Sequence, residues 1–162
     1  MSDALTFMMG EFEATFPTDR LYAKNHMWAE RVEESSSAGG ASGGRFRFGF
    51  AAYAVRLLQD VYFLDWHVDE GAALNQGQEI GEIESSKAES SLYAPVAGRL
   101  ISINHQLLKD PSAINVDKYG AGWIFEMEGA SGELLLSPTD YIEHLDAVWK
   151  VTQRTIKGQL NE

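Results

Sequence analysis

The residues best placed for chemistry are one lysine and the short polar segment around it, Glu84–Ala88 (Glu-Ser-Ser-Lys-Ala). With Pro95 and Gly98 following, this pattern is typical of a strand, a tight turn with Lys87 at its tip, and a return strand. A lysine at the tip of a rigid hairpin keeps its ε-amine clear of the protein body, where a modifying enzyme can reach it. Acylation would remove the charge of that amine and make the side chain the stem of a flexible tether. The hairpin is suited to carry a covalent group on Lys87, but the pattern by itself does not require one, because most surface lysines are simply solvated.

The rest of the chain shows no second set of reactive groups. The sequence has no cysteine, which excludes disulfides, thiolate metal sites and cysteine nucleophiles. Its four histidines lack metal-ligand spacing, so no metal site is predicted, and no serine lies in a nucleophile elbow. We therefore predict no catalytic site of the chain's own, and any redox chemistry would come with a cofactor.

The charge and hydropathy of the chain limit its partners. The formal net charge of the 162 residues is −11, which argues against nucleic acid because phosphates would be repelled. The same charge suits docking on basic protein surfaces, although acidic residues also serve solubility alone. No apolar run approaches the roughly 20 residues that span a bilayer, and the N-terminus has no secretory pattern. We expect a cytoplasmic monomer with no membrane partner.

The elements that must position Lys87 are predicted to be short strands of one β domain over residues 21–136. Residues 1–20 show no strong period and are predicted to be a loosely attached extension. Two strands, His26–Val32 and Arg45–Phe50, are predicted to form a hairpin with an enlarged tip. The Gly/Ser-rich residues 34–44 are predicted to be a flexible insertion at that tip.

Helix and strand patterns follow on both sides of the lysine. Residues 51–59 predict a short helix and residues 61–66 a buried strand, while residues 79–84 and 90–93 lead to and from the lysine turn. The alternation at 99–104 predicts a further strand. Ser137 as N-cap and Pro138 at the first helical position predict a C-terminal helix over 137–162, packed on the same domain.

Five segments, in order along the chain, resemble the glycine cleavage H-protein family of lipoyl carriers. They are Tyr22–Trp28, Gly49–Ala54, Glu84–Ala88, Ile114-Asn115 and Tyr119–Ile124. The resemblance, from about Tyr22 to about Trp149, implies a mainly β, lipoyl-domain-like barrel-sandwich hybrid with a short helix after the N-terminal hairpin and a C-terminal helix. It implies lipoate as the cofactor, amide-linked to Lys87, with Glu84 read by the attaching enzyme. Biotin carriers typically place methionine on both sides of the lysine, whereas this chain has Ser86 and Ala88.

The resemblance also implies a cleft in which the arm docks, formed by Asn25, His26, Met27 and Ser91. The family usually has glutamate at the position of Met27 and aspartate at that of Ser91, where acidic groups hold an aminomethyl cargo. Methionine offers only a thioether, and an unpaired ammonium in a cleft costs on the order of several kcal/mol. The substitutions therefore favour a neutral, apolar or sulfur-rich cargo.

Three functions follow from the resemblance. The favoured one is a lipoate-binding protein of sulfur oxidation, with a heterodisulfide-reductase-like complex as partner. The second is an H protein of glycine cleavage, which shuttles the aminomethyl group between glycine decarboxylase, aminomethyltransferase and dihydrolipoamide dehydrogenase. The third is a relay that hands lipoate on to other enzymes. In each case a lipoate ligase or a lipoyl or octanoyl transferase modifies Lys87.

Overall fold

The structure is a computed structural model that describes residues 3–32, 44–130 and 134–160, with side chains omitted at 129–130 and 152–160. The strands are β1 (Ala4–Met9), β2 (Phe12–Pro17), β3 (Leu21–Tyr22), β4 (Met27–Arg31), β5 (Gly44–Phe50), β6 (Val61–Trp66), β7 (Ala73–Leu74), β8 (Glu79–Ser85), β9 (Glu89–Tyr93), β10 (Gly98–Ile103) and β11 (Phe125–Ala130). The helices are α1 (Ala52–Leu58), α2 (Gln106–Lys109), α3 (Ala113–Val116) and α4 (Pro138–Leu160). The flexible insertion predicted at 34–44 lies, except for residue 44, outside the described residues.

Antiparallel pairing joins the strands of the described residues into three sheets. The largest has the order β3-β4-β5-β11-β10-β7, a second has the order β6-β8-β9, and β1 pairs only with β2. Apolar side chains of the two larger sheets meet in one buried cluster, which includes Phe48 and Met127 from one sheet and Ile83 and Leu92 from the other. The mainly β fold with a short helix and a C-terminal helix is confirmed.

Strand β6 is less buried than its apolar sequence predicts. Tyr62 and Phe63 are 61% and 40% exposed, whereas Val61 and Leu64 face the core. The pairing of β6 with β8 shifts register between Val61 and Phe63. A bulge at this point places two consecutive side chains on the outer side, which the alternation rule does not anticipate.

The interpretation of residues 1–20 as a loosely attached extension is wrong. Strands β1 and β2 form a hairpin of six paired positions, and Met9 and Phe16 are buried. Phe16 meets the ring of Tyr141 edge-on, with 5.5 Å between ring centroids. The sequence does not predict this hairpin, because its apolar face is only a few residues long. That face is covered by a helix more than a hundred residues away in sequence.

Helix α4 confirms the predicted C-terminal helix and its start. The Ser137 hydroxyl accepts a hydrogen bond from the Asp140 N–H at 3.1 Å, which satisfies one of the free donors at a helix start. Tyr141 and Leu145 are fully buried in a second apolar cluster, and Trp149 meets Tyr53 edge-on at 6.2 Å. Within the described residues, no helix is both long and apolar enough to cross a membrane.

Candidate functional site

Lys87 lies where the sequence predicts it, at the exposed tip of the hairpin formed by β8 and β9. The two strands pair antiparallel with Glu84 opposite Glu89, so only residues 86–88 form the turn. The side chain of Lys87 is exposed, as an enzyme that acylates its amine would require.

Ser85 orders this turn, and sequence reasoning missed it. Its hydroxyl oxygen accepts hydrogen bonds from the N–H groups of Lys87 at 3.3 Å and Ala88 at 3.1 Å. Its own N–H donates to the Ala88 carbonyl at 2.8 Å, and the residue is only 5% exposed. A signal was present in the sequence, because a serine just before a tight turn commonly bonds backbone groups two or three residues ahead.

The tip is also attached to the body of the protein at the junction of α1 and β6. The Ser86 N–H donates to the Asp60 carbonyl at 2.9 Å, and the Asp60 N–H donates to the Ser86 hydroxyl at 3.2 Å. Asn115 holds the same junction, since its Oδ1 accepts from the Val61 N–H at 2.9 Å and its Nδ2 donates to the Gln59 carbonyl. The hairpin therefore presents Lys87 from a fixed position.

An apolar cleft of about 350 Å³ opens beside the hairpin, between α1 and β9. Its apolar lining comes from Phe50, Ala54, Leu57, Leu58, Ile83 and Leu92. Ala88, next to the lysine, lies at one end of the β9 wall, and Tyr93 lies at the other, where Asn25 and His26 also line the cleft. The cleft thus begins at the root of Lys87 and suits a long, mainly apolar side chain.

The structure brings together three of the four residues predicted for the cleft. Asn25, His26 and Ser91 line it, whereas Met27 does not. Met27 is fully buried in the main apolar cluster, because it lies in β4 opposite Phe50 and points into the core. Glu84, predicted to be read by the attaching enzyme, is a neighbour of the turn and does not line this cleft.

Polar acceptors are present at the cleft despite the missing family carboxylates. The Ser91 hydroxyl donates to Glu79 Oε2 at 2.5 Å, but Glu79 does not line the cleft and lies beside His67 on the outer face of the sheet formed by β6, β8 and β9. Asn25 Nδ2 donates to the Tyr93 carbonyl at 3.2 Å. Asn25 Oδ1 is buried and has no partner among the described residues. A buried acceptor without a donor is unfavourable by about 1–3 kcal/mol, so this atom suits a ligand that donates a hydrogen bond.

His26 is held in a neutral state at the end of the cleft. Burial, with a smaller contribution from the nearby His144, lowers the pKa of His26 to about 4. Its Nδ1 lies 2.9 Å from the Tyr141 hydroxyl, and its ring lies 4.5 Å from that of Tyr53. Its backbone has φ 70°, a left-handed conformation that is uncommon outside glycine and is found where a site needs it.

The comparisons with known proteins agree with this geometry. The model of the family described as "Glycine cleavage H-protein" matches residues 20–147. The chain belongs to the glycine cleavage H-protein family. It is 41% identical over 120 residues to the glycine cleavage system H protein of Beutenbergia cavernae, covering 74% of this chain and 88% of that protein. It is 35% identical over 122 residues to that of Nocardia farcinica, covering 75% and 85%.

A solved structure of this family has the same fold. The crystal structure of a glycine cleavage system H protein from Mycobacterium marinum matches with a TM-score of 0.65 and 33% identity, covering 78% of this chain and 95% of that one. The family match leaves out β1 and β2, which precede residue 20. Membership confirms the predicted resemblance and the class of lipoyl carriers. The comparisons support an H protein of glycine cleavage and give no support to the sulfur-oxidation function that the sequence favoured.

One further cluster of polar side chains lies on the outer face of the hairpin sheet. His67 lies 3.5 Å from a Glu79 oxygen, 3.8 Å from an Asp65 oxygen and 3.9 Å from a Glu82 oxygen. Ligand atoms of Asp65, His67 and Glu82 lie within 4.8 Å of one another, and all three residues are exposed. The absence of a metal site therefore stays a prediction, and the histidine is equally suited to ion pairs with these carboxylates.

Proposed function

We propose that this H-protein family member carries lipoate in amide linkage to Lys87 and serves glycine cleavage. Its partners are then glycine decarboxylase, aminomethyltransferase and dihydrolipoamide dehydrogenase, with a lipoate ligase or a lipoyl or octanoyl transferase as the modifying enzyme. When bound, the lipoyl group supplies a dithiol that carries the aminomethyl group and transfers electrons. The chain itself positions this arm and shelters it.

The observation that carries the proposal is the placement of Lys87 relative to the cleft. The lysine is exposed on a turn that Ser85 orders and that Asp60 attaches to the body. The apolar cleft starts beside it, at Ala88, and extends along β9. A lipoyl group fits this arrangement, because the tip leaves the amine accessible while the cleft offers an apolar surface for the methylene chain.

The sequence favours a sulfur-rich cargo because Met27 and Ser91 replace two acidic residues of the family. Met27 is part of the core and does not line the cleft, so its thioether does not determine which cargo fits. The hydroxyl of Ser91 bonds Glu79, which lies outside the cleft, so the support for an aminomethyl cargo comes from Asn25, which lines the cleft and has a buried acceptor without a donor. An aminomethyl group donates hydrogen bonds, and a sulfur cargo does so weakly or not at all.

The proposal is tested by mass spectrometry on the wild-type protein and two lysine variants. The proteins are incubated with lipoate, ATP and a lipoate ligase, and then with glycine and glycine decarboxylase. We expect the wild type and Lys109→Arg, which changes an exposed lysine of α2, to gain a lipoyl group and then an aminomethyl group. Lys87→Arg should gain neither, while its circular dichroism spectrum and thermal midpoint stay unchanged. Lipoylation of Lys87→Arg would refute the assignment of the lysine, and a lipoylated wild type that ignores glycine would refute the cargo.

A further inference from the structure

The free edge of strand β9 faces the cleft. Strand β9 lies at the end of its sheet and pairs only with β8 within the described residues. Its other edge borders the cleft, because the Tyr93 carbonyl on that edge accepts a hydrogen bond from Asn25, which also lines the cleft. Backbone groups of an edge strand are ready to pair with an added segment.

The register shows which backbone groups point into the cleft. In an antiparallel ladder, successive residues alternate between bonding the partner strand and pointing away from it. Ala88 bonds the β8 side through Ser85, at one end of β9. At the other end Ala94 bonds Gln78, whereas the Tyr93 carbonyl points outward to Asn25. The N–H and C=O groups of Glu89 therefore point toward the cleft, and those of Ser91 do so as well.

The dimensions of a lipoyl-lysine arm match this edge. From the lysine Cα to the amide nitrogen takes about five bonds, or about 6 Å, because a bond of about 1.5 Å advances a zigzag chain by roughly 1.25 Å. Strand residues rise about 3.3 Å each, so the amide reaches the level of Glu89, two residues beyond Lys87. The whole arm has about twelve bonds and a length of about 15 Å. At about 3.3 Å per strand residue, its end reaches the level of Ser91 and Leu92, which line the cleft.

We propose that the docked arm binds as an added strand segment, with its own amide hydrogen-bonded to the backbone of Glu89. This inference rests on the proposed function, since it requires an acyl group on Lys87. The amide needs such partners because the apolar cleft would otherwise desolvate its N–H and C=O groups without compensation. Strand addition supplies them from the main chain, independently of side-chain identity.

Amide hydrogen exchange tests the pairing directly in the wild-type protein. Exchange of the Glu89 and Ser90 N–H groups is measured by NMR before and after enzymatic lipoylation, at one pH and temperature. We expect lipoylation to slow exchange at Glu89 by about tenfold or more, because its N–H gains a partner. Ser90, which the register directs toward Ile83 of β8, serves as the internal control and should change less than twofold. Unchanged exchange at Glu89 in a fully lipoylated sample would overturn the proposal.

A pair of variants at one position separates the backbone from the side chain. Glu89→Pro removes the N–H, and proline is tolerated where a strand edge is free, whereas Glu89→Ala keeps the N–H and removes only the carboxylate. We expect the thiols of the reduced arm to react severalfold faster with a disulfide reagent in Glu89→Pro than in Glu89→Ala, which should match the wild type. Equal rates in the two variants would overturn the proposal. Should the proline variant not fold, the exchange measurement on the wild type decides alone.

The outcome also distinguishes this proposal from the function beneath it. A sample whose mass shows no lipoyl group after ligase treatment refutes both. A lipoylated sample that accepts an aminomethyl group from glycine but shows no protection at Glu89 refutes only the strand-like docking.

Discussion

Removal of the Ser85 hydroxyl should loosen the lysine turn without unfolding the domain. In Ser85→Ala, the N–H groups of Lys87 and Ala88 lose the oxygen that they share, at 3.3 and 3.1 Å. The Ser85 hydroxyl also donates to the Ala88 carbonyl at 3.2 Å, but that carbonyl keeps its bond from the Ser85 N–H, and Ser86 keeps its attachment to Asp60. The change therefore acts on the turn and leaves the β8–β9 ladder in place.

The expected size follows from the bonds that are lost. The two N–H groups that lose their acceptor contribute about 1 kcal/mol net each, and the Ala88 carbonyl keeps one donor, so the ordered turn should lose about 2 kcal/mol relative to open conformations. Because about 1.4 kcal/mol corresponds to a factor of ten, the ratio of ordered to open turn should fall about 30-fold. The global free energy of unfolding should fall by no more than this, since the turn can open while the core stays folded.

Amide exchange and modification kinetics measure this effect. We expect exchange of the Lys87 and Ala88 N–H groups to accelerate about 30-fold in Ser85→Ala, in line with the ratio derived from about 2 kcal/mol, and kcat/KM for enzymatic lipoylation to fall. Ser90→Ala is the matched control, because the Ser90 hydroxyl bonds only the carbonyl of its neighbour Ser91. Exchange at Lys87 and Ala88 that is equally slow in both variants would refute the role given to Ser85.

Two further predictions concern the residues next to the hairpin and the cleft. Gln59→Gly should raise the free energy of unfolding by about 1 kcal/mol, because relief of a strained backbone (about 1–3 kcal/mol) exceeds the added chain entropy of glycine (about 0.5–1 kcal/mol). The backbone strain is indicated by φ 63° at Gln59. Urea unfolding should show no gain in the free energy of unfolding for the control Gln59→Ala. The free energy of unfolding should fall by about 2 kcal/mol between pH 7.5 and 5. The pKa of His26 is about 4 in the folded chain, which is below its value in the unfolded chain. The unfolded chain therefore binds the proton more tightly, and a falling pH favours unfolding. His26→Asn, which suits φ 70°, should flatten that pH dependence, and an unchanged slope would contradict the assignment.

Local signals were sufficient to predict the hairpin, the position of Lys87 and the starts of α1 and α4. Turn residues, alternation and capping act over a few neighbouring residues, so one sequence displays them directly. The ordered set of five segments from Tyr22 to Ile124 is also specific enough to indicate the family, which the match over residues 20–147 confirms. The predicted strands at the lysine agree with β8 and β9 to within about one residue at each end.

The tertiary structure alone decided which residues form the cleft and what they offer. The family resemblance assigns Met27 to the cleft, yet its strand register against Phe50 turns it into the core. The unpaired acceptor of Asn25 and the bond of Ser91 to a carboxylate outside the cleft become visible only when β8 and β9 are paired and the loop before β4 lies against Tyr93.

The packing of the N-terminal hairpin and the free edge of β9 were also decided by the tertiary structure. The sequence by itself determined the type of carrier, since the lysine turn and its flanking strands are encoded locally. Burial, register and the orientation of backbone groups depend on contacts between residues far apart along the chain, as when Phe16 packs on Tyr141. Those contacts arise only when distant apolar faces are buried together, because their stabilisation comes from surface that neither segment can remove from water alone.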